Sequence, residues 1–310
     1  MYKLTRAAVL IFAYKRVDSL TQILEVLLSD KERNIYFSID SDPETSAPNA
    51  QVLQLVRDFA DYSNHNVKVW TYPEHLGLQR NCKNAIHNFF SLENIGIVLD
   101  DDIIPTKAFF ASLDAALEVF AENQDIYFVN GWTPFLANEI ANKPYFTEYF
   151  VSWGWASWSS KILKLSFDMV EAKKDFWKSW KPFGYYHNLG FRPFWLRRYY
   201  AVSSSKSRSW DWELLFSLWT RKGKVVSVHE RLCTNIGYDS HASHPNNGSK
   251  RQIATARNIS VLEQNYWREA TFRPRTSRRN EALMWDLGLT RIRNSMIYRI
   301  SRLLSLVRQD

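Results

Sequence analysis

The sequence is poor in cysteine, glycine and proline, and these shortages narrow the class of protein. Cys82 and Cys233 are the only cysteines in 310 residues, and neither lies in a CxxC or Cys/His spacing. A structural zinc site is therefore not expected, and a reducing compartment is indicated. The ten glycines form no Gly-x-Gly-x-x-Gly fingerprint and no Walker loop, which argues against the dinucleotide-binding and P-loop NTPase classes.

Long hydrophobic runs are also missing. The first apolar run, residues 7–13, is too short for a secretory signal peptide and leads directly into Tyr14-Lys15-Arg16. No run reaches the length of about 20 apolar residues that a transmembrane helix needs. We therefore expect a cytoplasmic protein.

Net positive charge is low in most of the chain and concentrated near its end. The formal net charge is +8, yet residues 251–310 hold twelve arginines, no lysine and five acidic residues. The remainder is close to neutral, so no nucleic-acid partner is expected. An apolar stripe flanked by arginines at residues 289–308 predicts one of two structures. One is an amphipathic helix on an anionic membrane surface, and the other is a terminal helix docked on the body.

What the sequence does contain is a regular alternation of apolar runs and helical periodicity, followed by an aromatic-rich half. The pattern predicts strands at residues 7–13, 34–39, 66–70, 95–99, 126–130 and 224–228, and helices at residues 17–28, 50–62, 78–90 and 109–121. This order is typical of an α/β protein with a parallel, doubly wound sheet. The thirteen Trp, fifteen Tyr and nineteen Phe suit either sugar-binding platforms or an aromatic core.

Three consecutive aspartates, Asp100, Asp101 and Asp102, directly follow the apolar strand at residues 95–99. Ligands of open α/β sheets bind beyond the carboxyl ends of such strands. Like charges there repel one another, and Mg²⁺ or Mn²⁺ with a phosphate is a suitable partner for them. The alternative is a solvated junction in which an aspartate caps the next helix, with Pro105 in its first turn.

The triplet and other motifs in the same order resemble the GT-A glycosyltransferases. Within that group, the resemblance is to the inverting N-acetylglucosaminyltransferase I type and to bacterial surface-polysaccharide glycosyltransferases. It covers residues 7–245. The motifs are Ala13-Tyr14-Lys15-Arg16, Ser38-Ile39-Asp40, the triplet with Phe109-Phe110, Gly154-Trp155, Trp210-Asp211-Trp212 and Ser243-His244.

The resemblance implies a Rossmann-like GT-A fold and a division of the chain. A catalytic domain at residues 1–250 would have a nucleotide-sugar half (1–130) and an aromatic-rich acceptor half (131–250), followed by a basic helical extension at residues 251–310. Asp102 would bind Mn²⁺ or Mg²⁺, with His244 as a second ligand, and the metal would bridge the diphosphate. The implied donor-binding residues are Ala13, Tyr14, Arg16, Asp40, Arg80, Asp100, Asp101, Gly154 and Trp155.

These assignments have alternatives. Asp40, implied to read uracil, is also a turn-forming residue before Pro43. For Arg16 the alternative is an exposed charge that precedes a helix, and for Arg80 it is a position on a solvated helix face. For Gly154-Trp155, the resemblance implies a loop in which the glycine would let backbone approach the ligand and the tryptophan would wall the site. A histidine in a polar loop, such as His244, is usually only solvated.

Inversion requires a carboxylate that accepts the proton of the acceptor hydroxyl. The resemblance implies Asp211, and the tryptophans on both sides of it favour a raised pKa. Glu213 stays a second catalytic candidate, because the relatives have two adjacent acids where this chain has Asp-Trp-Glu. The alternative for Asp211 is a cap of the helix that begins at Trp212.

The sequence therefore predicts an inverting, metal-dependent hexosyl- or N-acetylhexosaminyltransferase. It would use a nucleotide sugar, UDP-linked, and a saccharide or lipid-linked acceptor in surface-polysaccharide assembly (lipopolysaccharide or capsule), as a peripheral protein at the inner membrane face. Two other functions stay open. One is a sugar-phosphate nucleotidyltransferase, although Tyr14-Lys15-Arg16-Val17 lacks the glycine of its loop. The other is a non-catalytic carbohydrate-binding or membrane-adaptor protein, which would show no metal-dependent nucleotide binding.

Overall fold

The computed structural model describes residues 6–42, 44, 46–133, 142–169, 173–174, 192–204, 209–237, 256 and 259–272. Their strands are β1 (Ala8–Ala13), β2 (Asn34–Ile39), β3 (Asn66–Thr71), β4 (Ile95–Asp100), β5 (Ile103–Pro105), β6 (Ile126–Asn130), β7 (Tyr145–Thr147), β8 (Trp155–Trp158), β9 (Lys224–Ser227), β10 (Cys233–Asn235) and β11 (Thr271–Phe272). Their helices are α1 (Val17–Leu28), α2 (Ala47–Tyr62), α3 (Leu78–Leu92), α4 (Phe109–Val119), α5 (Ser159–Ile162), α6 (Arg192–Ser203), α7 (Trp210–Thr220) and α8 (Gln264–Arg268).

Nine of these strands form one large sheet in the order β11-β7-β9-β6-β8-β4-β1-β2-β3. Five of its eight pairings are parallel, and they include every pairing among β1, β2, β3 and β4. All six residues of β1 are buried, as expected for a central parallel strand, whereas β3 at the edge is only partly buried and carries an exposed Lys68. The expected α/β class with a large, mostly parallel sheet is confirmed.

Helices cover both faces of this sheet. One core lies under α1, α2, α4 and α8, and it includes Leu20, Phe59 and Phe110. The core on the other face lies under α3, α6 and α7 and is dominated by aromatic rings such as Phe89 and Trp219. Many of the aromatic residues therefore fill a core, which is the simpler of the two explanations given above for their abundance.

The centre of the sheet contains an element that the sequence pattern did not indicate. The four-residue strand β8 lies between β4 and β6 and runs antiparallel to both. Its residues Trp155–Trp158 are all buried. The segment that begins Gly154-Trp155, expected to be a ligand-facing loop, is thus part of the sheet from Trp155 onward.

A second, two-stranded sheet lies next to the acidic triplet. β5 follows the triplet directly and pairs antiparallel with β10, so that Ile103 faces Asn235 and Pro105 faces Cys233. This ribbon brings the chain after β10 back to the end of β4, because the N–H of Ile236 donates a 3.0 Å hydrogen bond to the carbonyl of Asp102.

Part of the expected C-terminal extension belongs to the sheet. α8 packs against α4 through the buried Trp267, and β11 pairs with β7 as the edge strand. The expected membrane helix at residues 289–308 lies outside the described residues. In the described part of the chain, no helix is both long and apolar enough to cross a membrane.

Candidate active site

The carboxyl ends of β1, β2 and β4 meet at one edge of the sheet because these strands are parallel neighbours. The register pairs Ala13 with Ile39 and Phe12 with Asp100. Beyond the strand ends, the N–H of Tyr14 donates a 3.0 Å hydrogen bond to Oδ2 of Asp101. The structure thus brings the first strand end and the acidic triplet, which the sequence analysis singled out, into direct contact.

Arg16 provides positive charge next to two of the aspartates. Its Nε atom lies 3.8 Å from Oδ1 of Asp101, and its Nη2 atom lies 3.8 Å from Oδ2 of Asp102. Both distances exceed the range of hydrogen bonds, so the interaction is mainly Coulombic attraction. One guanidinium therefore compensates part of the charge of two carboxylates.

The triplet remains short of positive charge. The pKa of Asp101 is raised to about 7, chiefly by burial and then by the negative charge of Asp102, against the opposing effects of the Tyr14 N–H and Arg16. Burial also raises the pKa of Asp100 well above its ordinary value, and the charges of Asp102, Asp101 and Asp211 raise it further. An added cation would stabilise the ionised form of these carboxylates.

Asp102 lies against the backbone of Gly237, just after β10. A Cβ atom added to Gly237 would lie 1.9 Å from Oδ2 and 2.7 Å from Cγ of Asp102. A larger residue at position 237 would therefore push the carboxylate aside. Asp102 is thus held between Arg16 and Gly237, with 21% of its side chain exposed.

The donor atoms at this edge suit a hard divalent cation that comes with a phosphate. Among the described residues, no group of three or more His, Cys, Asp or Glu is arranged to hold a metal ion by itself. Mg²⁺, however, is commonly bound by one or two carboxylates together with substrate phosphates. Asp101 and Asp102 supply two neighbouring carboxylates, so the residues fit a cation shared with a phosphate ligand better than a permanently caged one.

The Asp40 carboxylate anchors the segment that leads into α3. Its Oδ1 atom accepts a 2.9 Å hydrogen bond from the N–H of Leu76, and its Oδ2 atom accepts a 2.8 Å hydrogen bond from the N–H of Gly77. Nδ1 of His75 lies 3.1 Å from the same Oδ2. Gly77, with φ +76°, is in the left-handed region that favours glycine. A contact of Asp40 with uracil stays a prediction.

Asp42 is a residue of this edge that the sequence analysis did not select. It accepts a 3.1 Å hydrogen bond from the Tyr14 hydroxyl, and its Oδ1 atom lies 3.0 Å from Nζ of Lys15. It also accepts a 2.7 Å hydrogen bond from the N–H of Ser46. Asp42 therefore fixes the side chains that follow β1, and the polar cluster Asp40-Ser41-Asp42 was the available signal.

Two other implied donor-binding residues have packing or surface positions that need no ligand. The Trp155 side chain is fully buried and stacks on Phe90 with 6.2 Å between ring centroids. Pairing with β4 and β6 holds Trp155 inside the sheet, and its contact with a donor stays a prediction. Arg80 is exposed and lies 3.9 Å from Glu74, so its contact with a diphosphate stays a prediction.

Gly154 is explained by packing. Its φ is +70°, its carbonyl accepts a 2.8 Å hydrogen bond from the N–H of Gly131, and an added Cβ would lie 2.9 Å from the Phe109 ring. A larger residue would be strained and would clash. This accounts for the glycine without a ligand, and the implied approach of a ligand to its backbone stays a prediction.

The first turn of α7 carries both candidate bases, and they face different partners. Asp211 accepts a hydrogen bond from the Ser209 hydroxyl, and its charge raises the pKa of Asp100 in the triplet. Glu213 instead accepts a 3.1 Å hydrogen bond from Nε2 of Gln79 and forms an ion pair with Lys83, both on α3. Only Asp211 is thus coupled to the triplet in this way.

The raised pKa of Asp211 suits a group that accepts a proton. Burial raises its pKa, against the opposing effects of the Ser209 hydroxyl, the N–H groups of Trp212 and Asp211, and the positive charge of Arg198. A carboxyl with a raised pKa holds an accepted proton more readily near neutrality. The capping alternative stays open: the N-cap residue Ser209 makes no side-chain capping bond, but the Asp211 carboxylate itself accepts N–H groups in the first turn of α7.

His244 and the polar loop around it lie outside the described residues, so metal ligation by His244 stays a prediction.

Gln79 and Lys83 were missed by the sequence analysis. Their spacing of four places them on one face of α3, but the partner they share, Glu213, is remote in the sequence. No local pattern indicates such a contact.

Comparisons with known proteins give weak likenesses only. No family model matches the sequence, and no curated protein was found to match it. The structure is similar to S. aureus TarS residues 1–349, with a TM-score of 0.43 and 12% identity over 74% of this chain and 59% of that one. It is also similar to the glycosyltransferase GlyE in Streptococcus pneumoniae TIGR4, with a TM-score of 0.36 and 12% identity over 72% of this chain and 45% of that one.

The chain thus spans about 59% of the length of the TarS fragment and 45% of the length of GlyE. Likenesses at these TM-scores and identities do not establish a function, which has to come from the chemistry of the site itself.

Proposed function

We propose that this chain is an inverting glycosyltransferase that transfers a hexosyl or N-acetylhexosaminyl group from a UDP-sugar with the help of Mg²⁺ or Mn²⁺. The observation that carries the proposal is the packing of the first turn of α7 against the sheet edge. Trp210, next to Asp211, lies 6.1 Å from Phe12 between ring centroids, and Phe12 is opposite Asp100 in the register of β1 and β4. This packing supports a site in which a carboxylate able to accept a proton lies near carboxylates able to share a cation with a diphosphate.

In this proposal the donor lies at the carboxyl edge of β1, β2 and β4. Asp102 would hold Mg²⁺ or Mn²⁺, with the neighbouring Asp101 able to share it, and the ion would supply positive charge to offset the charge that develops on the departing diphosphate. Arg16, 3.8 Å from both carboxylates, can direct its guanidinium to a phosphate oxygen. Asp100 lies beside the donor sugar, at the end of β4.

The proton then moves to Asp211. As the acceptor hydroxyl oxygen forms its bond to C1 of the donor sugar, its proton passes to the Asp211 carboxylate. The bond between C1 and the diphosphate oxygen breaks, and its electron pair leaves with the nucleoside diphosphate. Because the attack comes from the face opposite the leaving group, the anomeric configuration inverts.

The test begins with donor binding. Thermal shift of the whole chain with UDP-glucose, UDP-galactose and their N-acetylated forms, with Mn²⁺ or with EDTA, should show stabilisation by a donor only when the cation is present. Asp102→Ala should remove this stabilisation without unfolding the protein, because the residue is not in the core. Asp125→Ala, which changes an exposed aspartate paired with Lys224, is the matched control.

Turnover decides the remaining parts. With a binding donor and a panel of saccharide acceptors, the anomeric configuration of the product is read by NMR. A retained configuration would refute inversion, and full activity in excess EDTA would refute the metal role. A chain that binds no nucleotide sugar under any of these conditions is not a transferase of this kind.

The proposal includes an acceptor carried by a lipid at the inner membrane face, in the assembly of a surface polysaccharide. Its support is the charge distribution, with twelve arginines and no lysine in residues 251–310. Removal of residues 280–310 should abolish binding to anionic vesicles and reduce transfer to a lipid-linked acceptor, while transfer to a soluble acceptor survives. Equal vesicle binding by both forms would refute the membrane role.

A further inference from the structure

Glu213 is two residues from Asp211, yet its carboxylate contacts side chains of another helix. Its Oε1 atom accepts a 3.1 Å hydrogen bond from Nε2 of Gln79, and its Oε2 atom forms an ion pair with Nζ of Lys83. Only 9% of the Glu213 side chain and 24% of the Lys83 side chain are exposed. A carboxylate held in this way is not open to an acceptor hydroxyl.

The partners of Glu213 lie on a helix that is rigidly attached to the sheet. The Asp40 carboxylate accepts the N–H groups of Leu76 and Gly77 directly before α3. Within α3, Oδ1 of Asn81 accepts a 2.5 Å hydrogen bond from the Ser38 hydroxyl of β2. The apolar face of α3, which includes Phe89, is buried. Gln79 and Lys83 therefore offer a fixed reference point.

The helix that carries Asp211 is tied to this reference point at its first turn. Two tryptophans also hold that turn: Trp210 packs edge-on against Phe12 of β1 at 6.1 Å between ring centroids, and Trp212 lies 5.4 Å from Trp195 of α6. The bonds of Glu213 add a polar tie to two side chains on α3. Residues two apart on a helix lie about 200° apart around its axis, so the bonds of Glu213 on one side direct Asp211 to the other.

We propose that Glu213 is a positioning residue, which ties the first turn of α7 to Gln79 and Lys83 of α3 and thereby aims the Asp211 carboxylate at the acidic triplet. The inference rests on the proposed function, since a positioned base has a meaning only if Asp211 accepts a proton. The two carboxylates of the Asp-Trp-Glu segment then have different roles: Asp211 accepts the proton, and Glu213 holds Asp211 in position.

The test compares variants at both positions in full-length protein, with the donor found by the thermal-shift screen. Glu213→Gln keeps the shape and one acceptor oxygen, so turnover should fall far less than the ~10²–10⁴-fold expected for loss of a general base. Glu213→Ala releases the turn, and a displacement of the base of about 1 Å should lower kcat about 10²-fold, with a smaller change in KM. Glu118→Gln, an exposed acid on α4, is the matched control.

Two further readouts distinguish positioning from proton transfer and from general damage. The acidic limb of the pH profile of kcat should persist in Glu213→Gln and Glu213→Ala and disappear in Asp211→Asn. Amide hydrogen exchange of residues 210–214 should accelerate in Glu213→Ala and in Lys83→Met. The effects of Glu213→Ala and Lys83→Met should be less than additive in the double variant, because both changes break the ion pair between these residues.

The outcomes separate this inference from the proposed function. If Glu213→Gln loses the acidic limb while Asp211→Asn keeps it, Glu213 is the base, and the transferase function stands without the positioning role. If Glu213→Ala leaves both kcat and the exchange of residues 210–214 unchanged, the positioning role is refuted. If the unaltered chain neither binds nor turns over a UDP-sugar, the proposed function fails first.

Discussion

Replacing Arg16 with methionine tests the electrostatics of the sheet edge without any assumption about substrate. The change keeps an unbranched side chain and removes the positive charge that lies 3.8 Å from Asp101 and 3.8 Å from Asp102. We expect the variant to be less stable than the unaltered protein and the difference to be larger at pH 8 than at pH 5. The pH dependence is the informative part of the experiment.

The magnitude follows from the two distances. Unit charges 3.8 Å apart attract by about 1 kcal/mol at the dielectric of water and by about 4 kcal/mol at an effective dielectric of 20. These side chains are 13–21% exposed, and holding a long side chain in place has an entropic cost, so the lower value applies. The expected loss at pH 8 is therefore about 1 kcal/mol for each pair, or about 2 kcal/mol in all.

At pH 5 the pair with Asp101 contributes little. The pKa of Asp101 is raised from 3.8 to about 7, so at pH 5 the folded protein holds this carboxyl protonated and Arg16 has one charge fewer to compensate. The expected loss then falls to about 1 kcal/mol. Because the folded state binds the extra proton, the contribution of Asp101 to stability falls as pH rises from about 4 through about 7. Without Arg16 the pKa of Asp101 rises further, so this fall should be larger in total and extend to higher pH.

Urea unfolding at low salt in EDTA, followed by tryptophan fluorescence, measures both differences. Arg80→Met is the matched control, because Arg80 is 66% exposed and lies 3.9 Å from an equally exposed Glu74, and it should change stability little at either pH. The reasoning would be refuted if Arg16→Met were no less stable than Arg80→Met at pH 8, or if its loss were the same at both pH values.

Three other changes have definite expected outcomes. Gly237→Ala places a Cβ 1.9 Å from the Asp102 carboxylate and should weaken Mn²⁺-dependent donor binding. The Tm should change little, because the Asp102 side chain can move aside; calorimetric titration that finds normal donor affinity would contradict the prediction. Asp40→Asn cannot accept both the Leu76 and Gly77 N–H groups. It should lower the free energy of unfolding by about 2 kcal/mol, the usual contribution of a hydrogen bond to a charged group; unchanged urea unfolding would contradict it. Asp211→Asn should lower kcat by ~10²–10⁴-fold with donor affinity intact, measured by initial rates and titration.

The part of the fold that the sequence predicts is the part whose signals are local. β1, β2 and β4 are short apolar runs, and the helices between them have a clear apolar face, so their parallel pairing follows from the order of elements. The convergence of Tyr14 and Asp101 follows in turn, because the carboxyl ends of parallel neighbours share one edge. β8 could not be predicted, since its four buried residues have no periodicity and its partners are remote in the chain.

The same division applies to the candidate site. Asp211 could be chosen as a candidate base from the resemblance and its tryptophan neighbours, but nothing local separates it from Glu213. The separation comes from Gln79 and Lys83, which reach Glu213 across the gap between two helices. Likewise, the burial of Trp155 depends on strands on both sides of it, so the resemblance of Gly154-Trp155 to a donor-site loop could not indicate a core position.

The position of β8 also has a consequence for how the protein is made. β4 is complete at Asp100, but its second neighbour in the sheet, β8, is complete only at Trp158. At a synthesis rate of ~5–20 residues per second, roughly 3–12 seconds separate the two events. Throughout that interval the apolar edge of β4 has no partner on that side, and an unpaired edge can join another chain. Nascent chains stalled between these points should therefore aggregate more readily than chains released after Trp158.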